Sequence, residues 1–493
     1  MITQVLRDCR KYEEEKEQFI TEKERPAFHL SSRAGWMNDP NGFSYYKGQY
    51  HMFYQYHPFD SHWGPMHWGH AVSNDLLHWT YLPAAMAPDM PYDRNGCFSG
   101  CAIELPDGQH LLMYTGVIHE YTKSGEVREV QTQCLAFGDG MDYTKYEGNP
   151  VLTEKDLPLG GSRYAFRDPK IWKHADGSYR CMIANNRIGH GGRMLLYKSE
   201  DCIHWEFVKS LVENNYRLGL MWECPDFFEL DGKQVLLASS QDMLPKGLEY
   251  HNGNGTFYMI GKYDQDEEVF KEETNHSIDY GIDFYAPQTV LTPDGRRIMI
   301  GWIGSWQNAV TPKELPFNGM MSVPRELSVR DGRLYQTPVR EIENYYTDTV
   351  ERTAIIGMKK VMLEDVEGRI ADIEMEIRGR DFDTFTICIA ENDRYETVIN
   401  YDKRDRLLTF DRLFSGNRKD SLNMRTMPVT AEKELFRLRL ILDRYSVEIF
   451  ADDGAEVMTS TIFTPLEADG ISFVCDGRAE LSVVKHGIRV DQE

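Results

Sequence analysis

One pattern constrains the chain more than any other feature: an apolar run, a tight turn closing on glycine and a second apolar run, repeated five times. It stands around Gly48 (FSYYKGQYHMFYQY), Gly108 (CAIELPDGQHLLMYTG), Gly177 (KIWKHADGSYRCMIA), Gly232 (FFELDGKQVLLAS) and Gly295 (QTVLTPDGRRIMIGW). Glycine after Asp or Lys supplies the positive φ of a hairpin turn. The turns lie 60, 69, 55 and 63 residues apart. That spacing holds about four short strands with their loops, the size of a propeller blade. A sixth turn, at Gly332, follows Gly295 by only 37 residues and reads as the outer strands of the fifth unit, with a sixth blade left open. A second repeat, SNDLLHW from Ser73 to Trp79, is echoed by SEDCIHW from Ser199 to Trp205. Beyond about residue 345 the strands lengthen and alternate, as in Ile373, Met375 and Ile377 against Glu374 and Glu376, or Leu438, Leu440 and Leu442 against Arg437, Arg439 and Asp443. This fits an antiparallel sandwich with its charges on a solvated face. The expected fold is all-β: a helical leader over 1–27, a five-bladed β-propeller over 28–342 and a C-terminal β-sandwich over 343–493.

Composition narrows the function. Lys and Arg number 55 against 78 Asp and Glu, a net charge of −23, which disfavours nucleic acid and anionic membrane as partners. The start of the chain, with Glu13, Glu14, Glu15 and Glu17, lacks the basic and apolar regions of a secretory signal, and no window approaches a membrane span. Nine scattered cysteines without a CxxC pair fit reduced thiols, so a cytoplasmic location is expected. His51, His57, His62, His67 and His70 match no metal-ligand spacing, and Gly189 to Gly192 (GHGG) lacks the Lys and Ser of a phosphate loop. Neither a metal nor a cofactor is expected; homo-oligomerisation is left open.

Nine residues before each turn glycine stand Asp39, Ser99, Asp168, Glu223 and Ala286. Four of these are followed within two residues by proline, as if each opens an inner strand. Three carboxylates at matching positions would converge on one end of the central channel, where mutual repulsion raises at least one pKa. A single Asp beside Pro, Asn or Gly is common in turns, but three coinciding positions call for chemistry. Trp36, Asn38, Gln55, Trp63, Trp68, Phe98 and Trp222 crowd the same stretches. Aromatic faces stack on sugar C–H faces while amides and carboxylates bind hydroxyls, so a carbohydrate is the expected ligand. Trp68 in particular reads more simply as blade core.

Five ordered motifs carry a resemblance: Trp36 to Gly42 (WMNDPNG), Trp63 to Trp79, Phe98 to Gly100 (FSG), Phe166 to Pro169 (FRDP) and Trp222 to Asp226 (WECPD). Together with Asp283 to Gln288 (DFYAPQ), Pro324 to Leu327 (PREL) and Ser446 to Phe450 (SVEIF), they resemble glycoside hydrolase family 32, which contains invertases, sucrose-6-phosphate hydrolases, inulinases and levanases. The resemblance implies Asp39 as nucleophile, Glu223 as general acid/base and Asp168 as transition-state stabiliser with Arg167 beside it. It also places Asn38, Gln55, Trp63 and Ser99 in the substrate pocket, where Trp36 and Phe98, among the aromatic residues of the same stretches, are expected as well. A retaining mechanism needs one carboxyl to attack and a second, protonated, to release the leaving oxygen. An inverting propeller glycosidase of the arabinanase or xylosidase type and a non-catalytic fructoside-binding propeller are the alternatives. Among sucrose, sucrose 6-phosphate and short fructo-oligosaccharides, the choice rests on whether Lys or Arg lines the far rim of the pocket.

Overall fold

The computed structural model describes residues 2–307, 310–416, 421–430 and 434–490. Strands dominate, and the one α-helix among the described residues is α1 (Gln4–Glu17). Thr3 caps α1 by accepting from the Leu6 N–H at 3.2 Å. The helix is a packed element, with Leu6, Cys9 and Glu13 buried. Among the described residues no helix is long and apolar enough to cross a membrane.

Five sheets follow, each an antiparallel meander. The first holds β1 (Gly35–Tyr46), β2 (Gln49–His57), β3 (His67–Ser73) and β4 (Trp79–Met86). The second holds β5 (Gly96–Glu104), β6 (His110–Tyr121), β7 (Val127–Gly138) and β8 (Tyr143–Lys145). In the third are β9 (Gly161–Lys173), β10 (Tyr179–Arg187), β11 (Gly191–Ser199) and β12 (Glu206–Glu213). The fourth is built from β13 (Met221–Leu230), β14 (Lys233–Met243), β15 (Gly253–Asp264) and β16 (Val269–Ser277). The fifth contains β17 (Tyr285–Leu291) and β18 (Arg297–Ile303), then Arg325–Arg330 and Arg333–Pro338 joined by the Gly332 turn.

The first strands form a ring, β1 against β5, then β9, β13, β17 and back to β1. Phe317–Asn318, from far along the chain, pairs parallel to β1 and adds a fifth strand to the first sheet. Both members of the seven-residue echo are one tight turn. The Ser73 and Ser199 hydroxyls accept from the Leu76 and Cys202 N–H groups, and both donating residues are left-handed.

Two six-stranded antiparallel sheets make up the rest, and their facing residues share one apolar core that includes Ile373 and Met375 from one sheet and Phe385 and Ile387 from the other. One expectation fails here. Asp443, assigned to a solvated face, is fully buried. The segment before β1 docks on this end of the sheet: Asp443 accepts from Ala27 N–H at 2.7 Å and faces His29 Nδ1 at 2.8 Å. His29 Nε2 meets Glu448 at 2.9 Å, and Glu448 also holds Arg325 at 2.6 Å. Burial opposes the His29 charge, but the two carboxylates outweigh it and raise its pKa to about 9.

Candidate active site

The ring strands share an irregularity. Each carries a β-bulge against its partner: at Asn38–Asp39 in β1, Ser99 in β5, Asp168–Pro169 in β9, Cys224–Pro225 in β13 and Ala286–Pro287 in β17. A bulge re-aims side chains and leaves no ladder bond for proline to break, so the prolines lie within the strands and do not open them. Asp168, Cys224 and Ala286 adopt φ of 63°, 47° and 52°. Each sends its N–H into the preceding sheet: Asp168 to Thr115 Oγ1 at 3.0 Å, Cys224 to Asp168 Oδ2 at 2.9 Å and Ala286 to Ser239 Oγ at 2.9 Å. Cys224, and not Glu223, is therefore the positional mate of Asp168 and Ala286. Gly232 is the second residue past its strand, whereas Gly177 and Gly295 are each the fourth, and β13 runs one residue further from bulge to turn, so the count from the glycine shifts by one.

Three bulges thus bring the carboxylates together at one end of the ring. Asp39 accepts from Asn38 Nδ2 at 3.0 Å through Oδ1 and from Ser99 Oγ at 2.7 Å through Oδ2. The Cys224 thiol bridges the group, 3.4 Å from Asp39 Oδ2 and 3.6 Å from Asp168 Oδ2. Glu223 receives Arg167 Nη2 at 2.7 Å on Oε1 and the Tyr285 hydroxyl at 2.6 Å on Oε2. These two donors fix the carboxyl on both sides, while Arg167 Nε faces Asp168 at 3.9 Å.

Electrostatics follow from burial. Desolvation pushes Asp168 up to about 7 despite Arg167, with Glu223 and Asp39 adding to the rise. Burial also raises Asp39, opposed by its bonds from Asn38 and Ser99. Arg167 loses solvation, but Glu223 and Asp168 more than compensate and keep it charged.

Around these groups opens a cavity of about 400 Å³. Nine of the ten residues expected from sequence line it: Asn38, Asp39, Gln55, Trp63, Phe98, Ser99, Arg167, Asp168 and Glu223. The Trp63 and Phe98 rings meet edge to face at 6.0 Å, with Trp63 43% exposed at the mouth. Trp36 stands behind the wall. Its indole packs on Trp302 and Trp306, and its N–H orients the Asn38 amide at 2.8 Å. Trp68 and Trp222 are core residues, fully buried, with their N–H groups on backbone carbonyls. His51 and His70 bond each other inside the first sheet, whereas His57 and His67 bond backbone carbonyls, so these histidines do not converge.

Five lining residues escaped the sequence reading: Glu129, Gln241, Asn254, Tyr285 and Trp306. Glu129, Gln241 and Asn254 come from second or third strands, where no turn offset marks them. Tyr285 lies in the DFYAPQ motif, one residue before a bulge, in the position that Arg167 and Glu223 occupy in their own sheets.

A ring of β-sheets that gathers two Asp and one Glu among amides and aromatic rings has the equipment of a glycoside hydrolase. Family models agree: "Glycosyl hydrolases family 32 N-terminal domain" matches residues 29–338 and "Glycosyl hydrolases family 32 C terminal" matches 341–488. The chain belongs to glycosyl hydrolase family 32. It is 36% identical to a sucrose-6-phosphate hydrolase of Zymomonas mobilis over 92% of this chain and 90% of that enzyme. A raffinose invertase of Escherichia coli is also 36% identical, with 91% of both chains covered. Among solved structures, a mutant of the Bombyx mori GH32 beta-fructofuranosidase in complex with sucrose superposes with a TM-score of 0.83 at 34% identity, covering 99% of each chain.

Proposed function

We propose that the protein is a retaining β-fructofuranosidase that removes the terminal β-D-fructofuranosyl residue of sucrose, sucrose 6-phosphate or short fructo-oligosaccharides. Asp39, Asp168 and Glu223 meeting in one sugar-sized cavity carry the reading. Asp39, held by Asn38 and Ser99, attacks the anomeric carbon. Glu223, steered by Arg167 and Tyr285, delivers a proton to the leaving oxygen and then takes one from water. Asp168 binds fructosyl hydroxyls, and Gln55, Trp63 and Phe98 complete that subsite. The ring of five sheets is read as a five-bladed propeller over 28–342, closed by Phe317–Asn318, and the paired six-stranded sheets as a β-sandwich over 343–493. The family match over both parts favours this reading over an arabinanase-type enzyme or an inactive binding module. All nine cysteines are free and buried, in keeping with a cytoplasmic enzyme acting on imported sugar.

The test is fructose released from sucrose by the wild type and by Asp39→Asn. Release that falls at least about a thousandfold in the variant supports the assignment; no release by the wild type overturns it.

A further inference from the structure

Sucrose and sucrose 6-phosphate both satisfy the reading above, on which this inference rests; the charge of the cavity separates them. Its wall presents four carboxylates, Asp39, Glu129, Asp168 and Glu223, and a single cation, Arg167. That cation is already engaged, with Nη2 on Glu223 at 2.7 Å and Nε toward Asp168 at 3.9 Å. With the roles proposed above, the lining that remains for the leaving group, besides Tyr285 on Glu223, is Glu129, the Gln241 and Asn254 amides and Trp306.

Arginines on the strands that carry the lining residues, or on the strand paired to one of them, are engaged as well. Arg128, beside Glu129, pairs with Glu126; Arg163 holds Glu120 and Glu154; Arg187 holds Glu213. His119, opposite Glu129 in the ladder, and Lys246, on the loop between β14 and β15, are not on the cavity wall. A sugar phosphate is close to a dianion at neutral pH and is recognised by a guanidinium fork, a lysine or a nest of N–H groups. Here it would meet a carboxylate and, among the described residues that line the cavity, no cation other than the engaged Arg167.

We propose that this site is built for uncharged β-fructosides and discriminates against a phosphorylated leaving group. Neutral hydroxyls suit the Gln241 and Asn254 amides, the Glu129 carboxylate accepts from them, and Trp306 offers a stacking face.

The experiment compares kcat/KM for sucrose and sucrose 6-phosphate at pH 7, at low and high salt, in the wild type and in Glu129→Gln. An Asp39→Asn blank confirms that fructose release is enzymatic. The expected result is a preference for sucrose of about tenfold or more. Salt narrows this gap by screening. Glu129→Gln should shift the ratio toward the phosphate by about three- to fivefold. Turnover of sucrose 6-phosphate equal to or faster than that of sucrose overturns the proposal; if Lys246→Ala then abolished that turnover, the phosphate would be assigned to the β14–β15 loop. Failure to release fructose from either sugar removes the β-fructofuranosidase reading itself, and this inference with it.

Discussion

Asp168 is 5% exposed, left-handed at φ 63°, and its charged neighbours include Glu223 and Asp39. Its carboxyl, raised from 3.8 to about 7, binds a proton more tightly in the folded chain than in the unfolded one. The ionised group therefore costs stability progressively as pH rises from about 4 through 7. Asn tolerates the left-handed region and removes the charge. Asp168→Asn should abolish most activity while stabilising the fold at pH 8 by about 1–3 kcal/mol, a gain that shrinks toward pH 4. Urea unfolding of both proteins at the two pH values checks this; equal stabilities at pH 8 would contradict it. At Glu223, losing the 2.6 Å bond from Tyr285 should cost Tyr285→Phe about tenfold in kcat with little change in KM, read from initial rates against sucrose concentration.

Within the first and second sheets, His51, His70 and His110 form a buried cluster. His51 Nδ1 lies 3.0 Å from His70 Nε2, His110 Nδ1 meets the Tyr143 hydroxyl at 2.8 Å, and His70 stacks on Phe53 at 4.1 Å. Burial lowers His51 to about 4 and His110 to about 3, with His70 also well below its usual value. The unfolded chain thus takes up protons that the folded chain refuses, and stability falls as pH drops below about 6.5. Each histidine contributes up to about 1.4 kcal/mol per pH unit. His70→Phe should flatten this acid limb by one proton's worth, visible in urea titrations at pH 7, 6 and 5. His29 works in the opposite sense. Its pKa is raised to about 9, so its bridge to Asp443 and Glu448 is fully present below about 6.5 and is lost as pH rises through 9. Replacing it, as in His29→Leu, strands two buried carboxylates and should cost about 3–5 kcal/mol at pH 7, measured by the same titration.

The ring is legible in the sequence because a hairpin turn is a local event: Lys47–Gly48 and Asp231–Gly232 announce themselves through positive φ. Counting back from those glycines found Asp39, Ser99 and Asp168 because bulge and turn are separated by one strand. The same count reached Glu223, one residue before its bulge, and could not reach Gln241 or Asn254, which arrive from second and third strands. Asp443 was misplaced for a related reason, since what covers it is supplied by His29, hundreds of positions away. The proposed catalysis depends on that long-range closure, because the three carboxylates belong to three different sheets joined at a ring. The most direct test is to follow sucrose cleavage by NMR in the first turnovers and identify the fructose anomer that appears before mutarotation. Initial β-fructofuranose, absent with Asp39→Asn, is the predicted result for double displacement at Asp39 with Glu223 as acid and base; initial α-fructofuranose would contradict it.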